Sequence, residues 1–264
     1  MIGVENLAVT FGRGTPLEKH ALNGIDLAID AGEFVSVIGS NGAGKSTLLS
    51  AIAGDVSASA GRVIIDGADV TRQSTARRSA RVARVFQDPL AGSCGQLTIE
   101  ENLALAVARG TPRRLGYALT AKRRATFRER VAALGLGLET RLHDRMALLS
   151  GGQRQALALL MATLAKSSVL LLDEHTAALD PGMAEFVIDL TRRTVAEQRL
   201  TTLMVTHSMR QALDLGTRTI MLHEGKVVLD VKGDERAGLT VGALVAMFRR
   251  QRGETIDDDA LLID

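Results

Sequence analysis

Aromatic side chains are scarce in this sequence of 264 residues, which contains six Phe, one Tyr and no Trp. Proteins that bind single-stranded nucleic acid usually stack successive bases on exposed rings, so this scarcity argues against that class. The formal net charge is only +2, which gives no overall excess of positive charge for a phosphate backbone. We therefore expect no nucleic-acid partner.

Long apolar runs and cysteines are scarce as well. The longest apolar run, residues 156–165, contains one Thr and has about half of the ~20 residues that cross a bilayer. The single cysteine, Cys94, cannot form an internal disulfide, and the first residues show neither the basic nor the apolar segment of a secretion signal. These absences predict a cytosolic protein that does not cross a membrane by itself.

Apolar residues are nevertheless plentiful, at 46% of the chain, which is enough for one large domain or a domain with a subdomain. Their pattern predicts strands at 2–10, 25–29, 34–38, 169–172 and 202–205, a helix at 45–53, and a hairpin at 220–229 that turns at Glu224 and Gly225. A helical stretch separates the two later strands, so we expect parallel strands joined by crossovers.

Charged residues are unevenly distributed. Ala-rich segments between Thr71 and Arg130, which we expect to be helical, carry thirteen basic and four acidic residues. The last segment, 253–264, has five acidic residues and no basic one. Two interpretations stay open: a solvated helical face with a frayed acidic tail, or a surface that faces a membrane or a membrane-bound partner.

A glycine-rich loop lies between the strand at 34–38 and the helix at 45–53. Residues 39–46 fit the phosphate-binding pattern G-x-x-x-x-G-K-[ST], in which glycines let backbone N–H groups turn inward around phosphates. Lys45 is expected to reach the β- and γ-phosphates and Ser46 to ligate Mg²⁺. The predicted phosphate-binding residues are Gly39, Ser40, Asn41, Gly42, Ala43, Gly44, Lys45, Ser46 and Thr47. An ordinary glycine-rich turn is the alternative.

The apolar strand at 169–172 ends in two adjacent carboxylates, Asp173 and Glu174. Successive residues of a strand point in opposite directions, so the two acids can have different roles. Asp173 is suited to hold Mg²⁺ through water, and Glu174 to orient and polarise the attacking water as a general base. Such a strand end means little alone, but together with a phosphate-binding loop it indicates nucleotide hydrolysis.

A second glycine-rich helix start occurs at Ser150, which precedes Gly151, Gly152 and Gln153. Ser150 is suited to be the N-cap, and the two glycines leave backbone N–H groups accessible to an anion. A head-to-tail pair of chains would use both glycine-rich segments around one triphosphate. A helix cap without a ligand is the alternative.

The three segments together resemble the Walker A, signature and Walker B motifs of ABC-type ATPases, the nucleotide-binding subunits of ABC transporters. The string LSGGQ at 149–153 discriminates this family from other P-loop proteins. Gln87 matches the Q-loop of the family, Asp180 ends its D-loop, and His207 matches its switch histidine. The resemblance covers residues 2–231 and identifies the chain as a member of this family.

The resemblance implies an α/β fold, with a P-loop NTPase (RecA-like) core and a mostly parallel sheet. An N-terminal antiparallel β subdomain and an inserted α-helical subdomain are implied beside this core. The single ATPase domain would span 1–235, with core segments 1–87 and 165–235 and a helical insert at about 88–164. A C-terminal helix and an acidic tail at 236–264 would follow.

The family also implies a role for each matched residue. ATP would lie between two chains of a homodimer, with Ser150, Gly151, Gly152 and Gln153 of one chain touching the γ-phosphate bound by the other. His207 would contact the γ-phosphate and the attacking water, and Gln87 would sense Mg²⁺ or that water. Asp180 would couple the two sites across the dimer.

Two positions need separate comment. The family places an aromatic ring before the phosphate loop to stack on adenine; Phe11 matches this position, and a core Phe is the alternative. His175 follows Glu174 where many relatives carry proline, a departure that concerns the backbone and not the acid itself.

The resemblance implies a partner because the chain lacks a spanning segment. A separate membrane permease would dock at Gln87 and the stretch after it through Glu101, on the cytoplasmic face of the inner membrane. Subunits of this size are usual among importers, which also need an extracytoplasmic substrate-binding protein. Residues 173–181 resemble a group of tryptophan or tyrosine importers.

A soluble ABC ATPase that acts on DNA or the ribosome is the alternative function. The DNA-repair relatives separate their motifs by long coiled coils, whereas Gln87 and Ser150 are only 63 positions apart here. The translation-factor relatives carry two cassettes, and this chain has one copy of each motif.

Overall fold

The computed structural model describes residues 1–111 and 116–252, with side chains up to residue 249. The chain folds into two units: residues 1–72 with 203 onward, and residues 73–202. Arg113 and Arg114 of the basic stretch, and the acidic tail at 253–264, lie outside the described residues.

The described chain contains both strands and helices. In order they are β1 (Ile2–Phe11), β2 (Lys19–Ile29), β3 (Phe34–Gly39), α1 (Lys45–Ala53), β4 (Ala60–Ile65), β5 (Ala68–Asp69), α2 (Thr75–Arg78), β6 (Val82–Val85), α3 (Ile99–Val107), α4 (Ala121–Ala132), α5 (Gly151–Leu164), β7 (Val169–Asp173), α6 (Pro181–Gln198), β8 (Thr201–Val205), α7 (Met209–Leu215), β9 (Arg218–His223), β10 (Lys226–Lys232), α8 (Gly233–Ala237) and α9 (Val241–Arg252).

The first unit contains a four-stranded antiparallel sheet in the order β2-β1-β4-β5. In β1 the apolar side chains Ile2, Val4, Leu7 and Val9 are buried, and the polar residues between them are more exposed. This alternation is typical of a sheet with one face on the core. The N-terminal antiparallel subdomain expected from the family is confirmed.

The other strand pairings are mostly parallel. In the first unit β3 runs parallel to β9, and β9 forms the predicted hairpin with β10 through Glu224 and Gly225. In the second unit β6 runs parallel to β7, with Val82 opposite Val169. Parallel strands with intervening helices are the arrangement that the buried strand pattern predicted.

An apolar cluster in the first unit holds the strand that leads into the phosphate loop. Ile38, at the end of β3, packs with Ala212 of α7, Met221 of β9, and Leu244 and Phe248 of α9. All five side chains are at most 4% exposed. The C-terminal helix therefore contributes to the core directly behind the loop.

Helices α2 to α6 lie in the second unit. The apolar helix predicted at 156–165 is α5, whose residues are largely buried. Helix α3 begins with a capping box formed by Thr98 and Glu101, and Arg124 of α4 binds both carboxylate oxygens of the buried Glu100 in α3.

The helical segments expected between Thr71 and Arg130 include α2, α3 and α4, but residues 82–85 form strand β6. Val82, Ala83 and Val85 are buried, and the strand pairs with β7. A strand of only four residues carries too weak an alternation to be recognised, and pairing with a distant strand decides its conformation. Among the described residues, none of the helices combines the length and the hydropathy needed to span a bilayer.

Candidate functional site

The loop at 39–44 has a backbone that only glycine can adopt at two positions. Gly39 has φ +147°, and a Cβ there would lie 2.2 Å from the carbonyl oxygen of Leu222. Gly44 has φ +100°, and its Cβ would lie 2.5 Å from the carbonyl oxygen of Ala21. The predicted strand, loop and helix are present, and the neighbouring strands explain why these two glycines are required.

The same loop is open on its other side. A Cβ at Gly42, with φ +79°, would meet nothing within 4 Å. Helix α1 begins at Lys45 without a side-chain cap, since its N-cap residue is Gly44. A helix N-terminus behind an open glycine loop is the arrangement that binds phosphate in this class of fold.

Lys45 lies within this loop. Its ammonium donates to the carbonyl oxygens of Gly39 at 2.8 Å and Ser40 at 3.1 Å, and the residue is only 5% exposed. The loop backbone thus holds a positive charge beside its own glycines. This geometry fits the predicted role of Lys45 in binding phosphate oxygens.

The hairpin turn between β9 and β10 supports the loop. Gly225 donates its backbone N–H to the carbonyl of Ala43 at 3.0 Å. Asn23 of β2 donates its side-chain amide to the carbonyl of Glu224 at 2.7 Å. The sequence predicted the turn but not this contact, because nothing in the local pattern links residues about 180 positions apart.

Two further predicted residues belong to the first unit. Phe11 is the last residue of β1 and is 42% exposed, so it is not a core side chain. His207 is exposed. It lies two residues after the end of β8 and directly precedes Ser208, the N-cap of α7. Thr206, on the other side of His207, accepts from the backbone N–H of Ser208 at 3.1 Å. The backbone around His207 is therefore held by local hydrogen bonds.

In the second unit the buried strand β7 delivers Asp173 and Glu174 into different environments. The carboxylate of Asp173 accepts from Nη2 of Arg84 at 2.7 Å, and both side chains are 12% exposed. Glu174 is more exposed than Asp173 and has φ +45°. The two adjacent acids thus differ in surroundings, but Glu174 lies beyond the end of β7, so the turn that follows the strand and not strand alternation sets its direction.

Gln87 lies in the loop after β6, with its side chain exposed. The preceding residue, Phe86, accepts a hydrogen bond at its carbonyl from the side chain of Gln155 in α5, at 3.3 Å. The loop that contains Gln87 is therefore linked to the helix that begins at the signature segment.

The signature segment starts α5 with a capping box. Ser150 is the N-cap, as predicted: its hydroxyl accepts from the backbone N–H of Gln153, whose side chain accepts from the N–H of Ser150. Gly152 is buried, and a Cβ there would lie 2.6 Å from Cε of Met183 in α6. The backbone of Met183 in turn donates to Asp180, the N-cap of α6. Gly152 and the predicted D-loop residue Asp180 thus both contact Met183.

The residues predicted to hold Mg²⁺ are of a suitable chemical kind. Ser46 and Asp173 offer the hard oxygen ligands that this ion prefers. In the part of the chain that the structure describes, no group of three or more His, Cys, Asp or Glu side chains could hold a metal alone.

These features define a P-loop fold with a phosphate-binding loop and an acid pair at a strand end. The sequence model of the family described as "ABC transporter" matches residues 22–177. The chain belongs to the ABC transporter family. The family, the fold class and the ATPase class predicted from the motifs are confirmed.

Individual relatives cover nearly the whole chain. A tyrosine transport ATP-binding protein from Clostridioides difficile (strain R20291) is 44% identical over 248 residues, which cover 94% of this chain and 98% of that protein. The thiamine import ATP-binding protein ThiQ from Shigella boydii serotype 4 (strain Sb227) is 34% identical over 84% of this chain and 90% of that protein.

A solved structure is also similar. The dimeric post-hydrolysis state of the ATP-binding cassette MJ0796, bound to ADP and Pi, matches with a TM-score of 0.76 at 30% identity, over 88% of this chain and 98% of that one. None of these three proteins is named for a nucleic acid or a ribosome. The alternative function, a soluble ABC ATPase that acts on DNA or the ribosome, therefore gains no support.

Proposed function

We propose that this chain is the ATP-hydrolysing subunit of a membrane importer. Two copies would close around two ATP molecules, and hydrolysis would release them and drive a separate permease. The observation that carries this proposal is Lys45, held by the backbone of an open glycine loop in a chain that also keeps the acid pair Asp173 and Glu174. Import is inferred from the tyrosine and thiamine relatives.

Each predicted residue receives a role in nucleotide binding. Phe11 stacks on the adenine, which its exposed ring at the end of β1 permits. Residues 39–47 surround the phosphates, and Lys45 binds the β- and γ-phosphate oxygens. Ser46, Gln87 and Asp173 hold Mg²⁺, which when bound neutralises charge on the phosphates.

Hydrolysis requires a water molecule in line with the γ-phosphate. Glu174 accepts a proton from this water as its oxygen bonds to the γ-phosphorus, and the bond from that phosphorus to ADP breaks. His207 and Gln87 orient the water and the γ-phosphate. Asp173 does not compete for this role, because Arg84 already binds its carboxylate.

The second chain completes each site. Ser150, Gly151, Gly152 and Gln153 of one subunit contact the γ-phosphate bound by the other. The capping box keeps this helix start rigid, which is a prepared surface for an anion. Asp180 couples the two sites, since Asp180 and Gly152 contact the same residue, Met183, within one chain.

Glu174→Gln tests the hydrolytic role. The amide cannot accept the proton of water, so we expect ATP binding to persist, hydrolysis to fall almost to zero and an ATP-bound dimer to accumulate. Turnover and size-exclusion chromatography with ATP measure these effects, and Glu185→Gln, in the exposed part of α6, is the matched control. Wild-type turnover in Glu174→Gln would contradict the assignment of the base.

The second unit also contains a groove that fits the proposed permease contact. It has a volume of about 1180 Å³, and small side chains form much of its wall, including Ala76, Ala80, Gly92, Ala106, Ala158 and Ala162. Phe86, which precedes Gln87, and residues between Pro89 and Cys94, which follow it, form one side. We propose that a short cytoplasmic helix of the permease docks here.

The charge of the groove indicates the chemistry of that helix. Arg77, Arg84 and Arg109 line it, and no acidic residue does so among the described residues. Arg109 pairs with carbonyl oxygens at the end of α5, and Arg77 is exposed. A helix with small apolar residues and a carboxylate would complement this surface.

Co-purification with the permease tests the docking proposal. We expect Arg77→Glu to weaken the association at least tenfold, because it places a like charge opposite the carboxylate. Arg128→Glu makes the same charge change on exposed α4, outside the groove, and should have little effect. Cys94 lines the groove and is the single cysteine, so a bulky maleimide there should block association, whereas Cys94→Ser should not. Association that survives both the charge reversal and the maleimide would contradict the proposal.

The remaining assignments follow from the importer proposal. The subunit would lie on the cytoplasmic face of the inner membrane, attached through the permease, and an extracytoplasmic protein would deliver the solute. The similarity to a tyrosine transport subunit favours an amino-acid substrate such as tyrosine or tryptophan. Purification of the complex and identification of the ligand on its binding protein would test this assignment. For the domains, we propose a single ATPase domain at 1–235, with core segments 1–87 and 165–235 and a helical insert at about 88–164, followed by a C-terminal helix and an acidic tail at 236–264.

A further inference from the structure

The backbone at Glu174 has an unusual conformation. Strand β7 ends at Asp173, and Glu174 follows with φ +45°, in the left-handed region that residues with a Cβ seldom occupy. The chain then turns, with the N–H of Ala177 donating to the carbonyl of Glu174 at 3.0 Å. A residue stays in this region only when its surroundings hold it there.

The next residue, His175, is buried, at 3% exposure. Its Nε2 lies 3.1 Å from Oγ1 of Thr191, which is fully buried in α6. The hydroxyl proton of Thr191 is already donated to the carbonyl of Val187 at 2.8 Å. The hydrogen-bond network therefore assigns Nε2 as the donor and Thr191 as the acceptor.

This hydrogen bond links the turn after β7 to the middle of α6. The residues between its two ends, 176–190, include the D-loop and Asp180, the N-cap of α6.

We propose that His175 is a positioning residue that holds Glu174 in place through its hydrogen bond to Thr191. The proposal rests on the proposed function, in which Glu174 is the general base. Its physical basis is adjacency: a displacement of His175 moves the peptide that joins it to Glu174 and so changes ψ of Glu174. A displacement of the base by about 1 Å from the water lowers the rate of ATP hydrolysis roughly tenfold to a hundredfold.

Thr191→Val provides the test, because valine has the shape of threonine without the acceptor. We expect kcat for ATP hydrolysis to fall by about tenfold or more, with KM for ATP changed less than about twofold. Thr191→Ser keeps the hydroxyl and should restore kcat. Thr163→Val is the matched control, since Thr163 is a buried helical threonine of the same unit that donates to Leu159 and has no histidine partner.

A second variant separates positioning from stability. His175→Phe combined with Thr191→Val removes both polar partners, which should bring the unfolding midpoint back towards that of the wild type. We expect kcat to stay low in this double variant. In the Glu174→Gln background, Thr191→Val should change the residual turnover no further, because the group that it positions is already absent.

Three outcomes would overturn the inference: equal kcat in Thr191→Val and Thr163→Val, recovery of kcat in the double variant, or a further loss of turnover in the Glu174→Gln background. Failure of the proposed function gives a different result. In that case Glu174→Gln itself would retain wild-type turnover.

Discussion

Arg84 and Asp173 are joined by a hydrogen bond of 2.7 Å between Nη2 and Oδ2, although they are 89 positions apart. The same guanidinium lies 4.7 Å from the centre of the Phe86 ring. Arg84 is in β6 and Asp173 ends β7, so the parallel pairing of these strands brings them together. Arg84 therefore contacts both Phe86, the residue before Gln87, and Asp173, the predicted Mg²⁺ ligand.

Removal of this arginine should destabilise the protein strongly. Arg84→Leu removes the guanidinium that binds the buried carboxylate of Asp173, and breaking a buried ion pair in this way typically costs about 3 to 5 kcal/mol. Chemical denaturation measures the loss. Arg192→Leu breaks the exposed pair with Asp189 in α6 and should cost at most about 1 kcal/mol. An equal loss in the two variants would show that Asp173 does not depend on Arg84.

An alanine at Gly39 of the phosphate loop should weaken ATP binding, because no space is available there for a Cβ. Gly39→Ala forces a Cβ against the backbone of β9 and should weaken ATP binding by more than about tenfold, since the loop must shift. Gly67→Ala is the control, because Gly67 also has positive φ, at +77°, but nothing lies within 4 Å of its Cβ. Fluorescent nucleotide titration gives both affinities. Unchanged binding in Gly39→Ala would contradict the steric explanation.

The composite site can be tested by mixing inactive variants. Lys45→Ala damages the phosphate loop and Ser150→Ala damages the signature segment, so each homodimer should lack a working site. A heterodimer of the two contains one intact site, and an equal mixture should recover about a quarter of wild-type turnover.

The control for that mixture uses two residues of the same half-site. Lys45→Ala mixed with Glu174→Gln should recover nothing, because the damaged loop and the missing base leave neither site of the heterodimer complete. Equal recovery in the two mixtures, or none in either, would argue against sites shared between chains.

The start of α3 should contribute to stability in a pH-dependent manner. Hydrogen bonds from the backbone N–H and the hydroxyl of Thr98 lower the pKa of Glu101 below its ordinary value of 4.5. The ionised form is therefore favoured in the folded state, and its contribution is present above pH 4.5 and is lost as the pH falls through the lowered pKa.

Glu101→Gln isolates this effect. Glutamine keeps an acceptor for Thr98 but does not titrate, so the free energy of unfolding should fall less between pH 5 and pH 3 than in the wild type. Urea denaturation across this range compares the two proteins. A parallel decrease in both would place the acid sensitivity elsewhere.

Several parts of the site were predictable because neighbouring residues determine them. The sequence around Lys45 predicted a strand, a glycine loop and a helix, and Glu224 with Gly225 predicted a hairpin turn. Ser150 was recognisable as an N-cap because a hydroxyl three residues before Gln153 reaches its N–H. Each is a consequence of local backbone geometry, and the motif strings identified the family.

Contacts between distant segments were not predictable in this way. Strand β6 is recognisable only through its pairing with β7, and the ion pair of Arg84 with Asp173 depends on that pairing. The exposure of Phe11 could not be separated from burial in a core until the end of β1 was placed. Local patterns do not encode which segments meet when the chain folds back.

His175 shows most clearly the difference between what local sequence predicts and what contacts between distant segments add. From the sequence it was a departure from the family pattern with little consequence, because only its neighbours along the chain were visible. The fold places its ring against Thr191, sixteen positions later, and turns it into a candidate support for the general base. The sequence alone thus determined the chemistry, through the phosphate loop, the acid pair and the signature segment. Only the tertiary structure decided what holds these groups, because burial and hydrogen bonding between distant residues exist only in the folded chain.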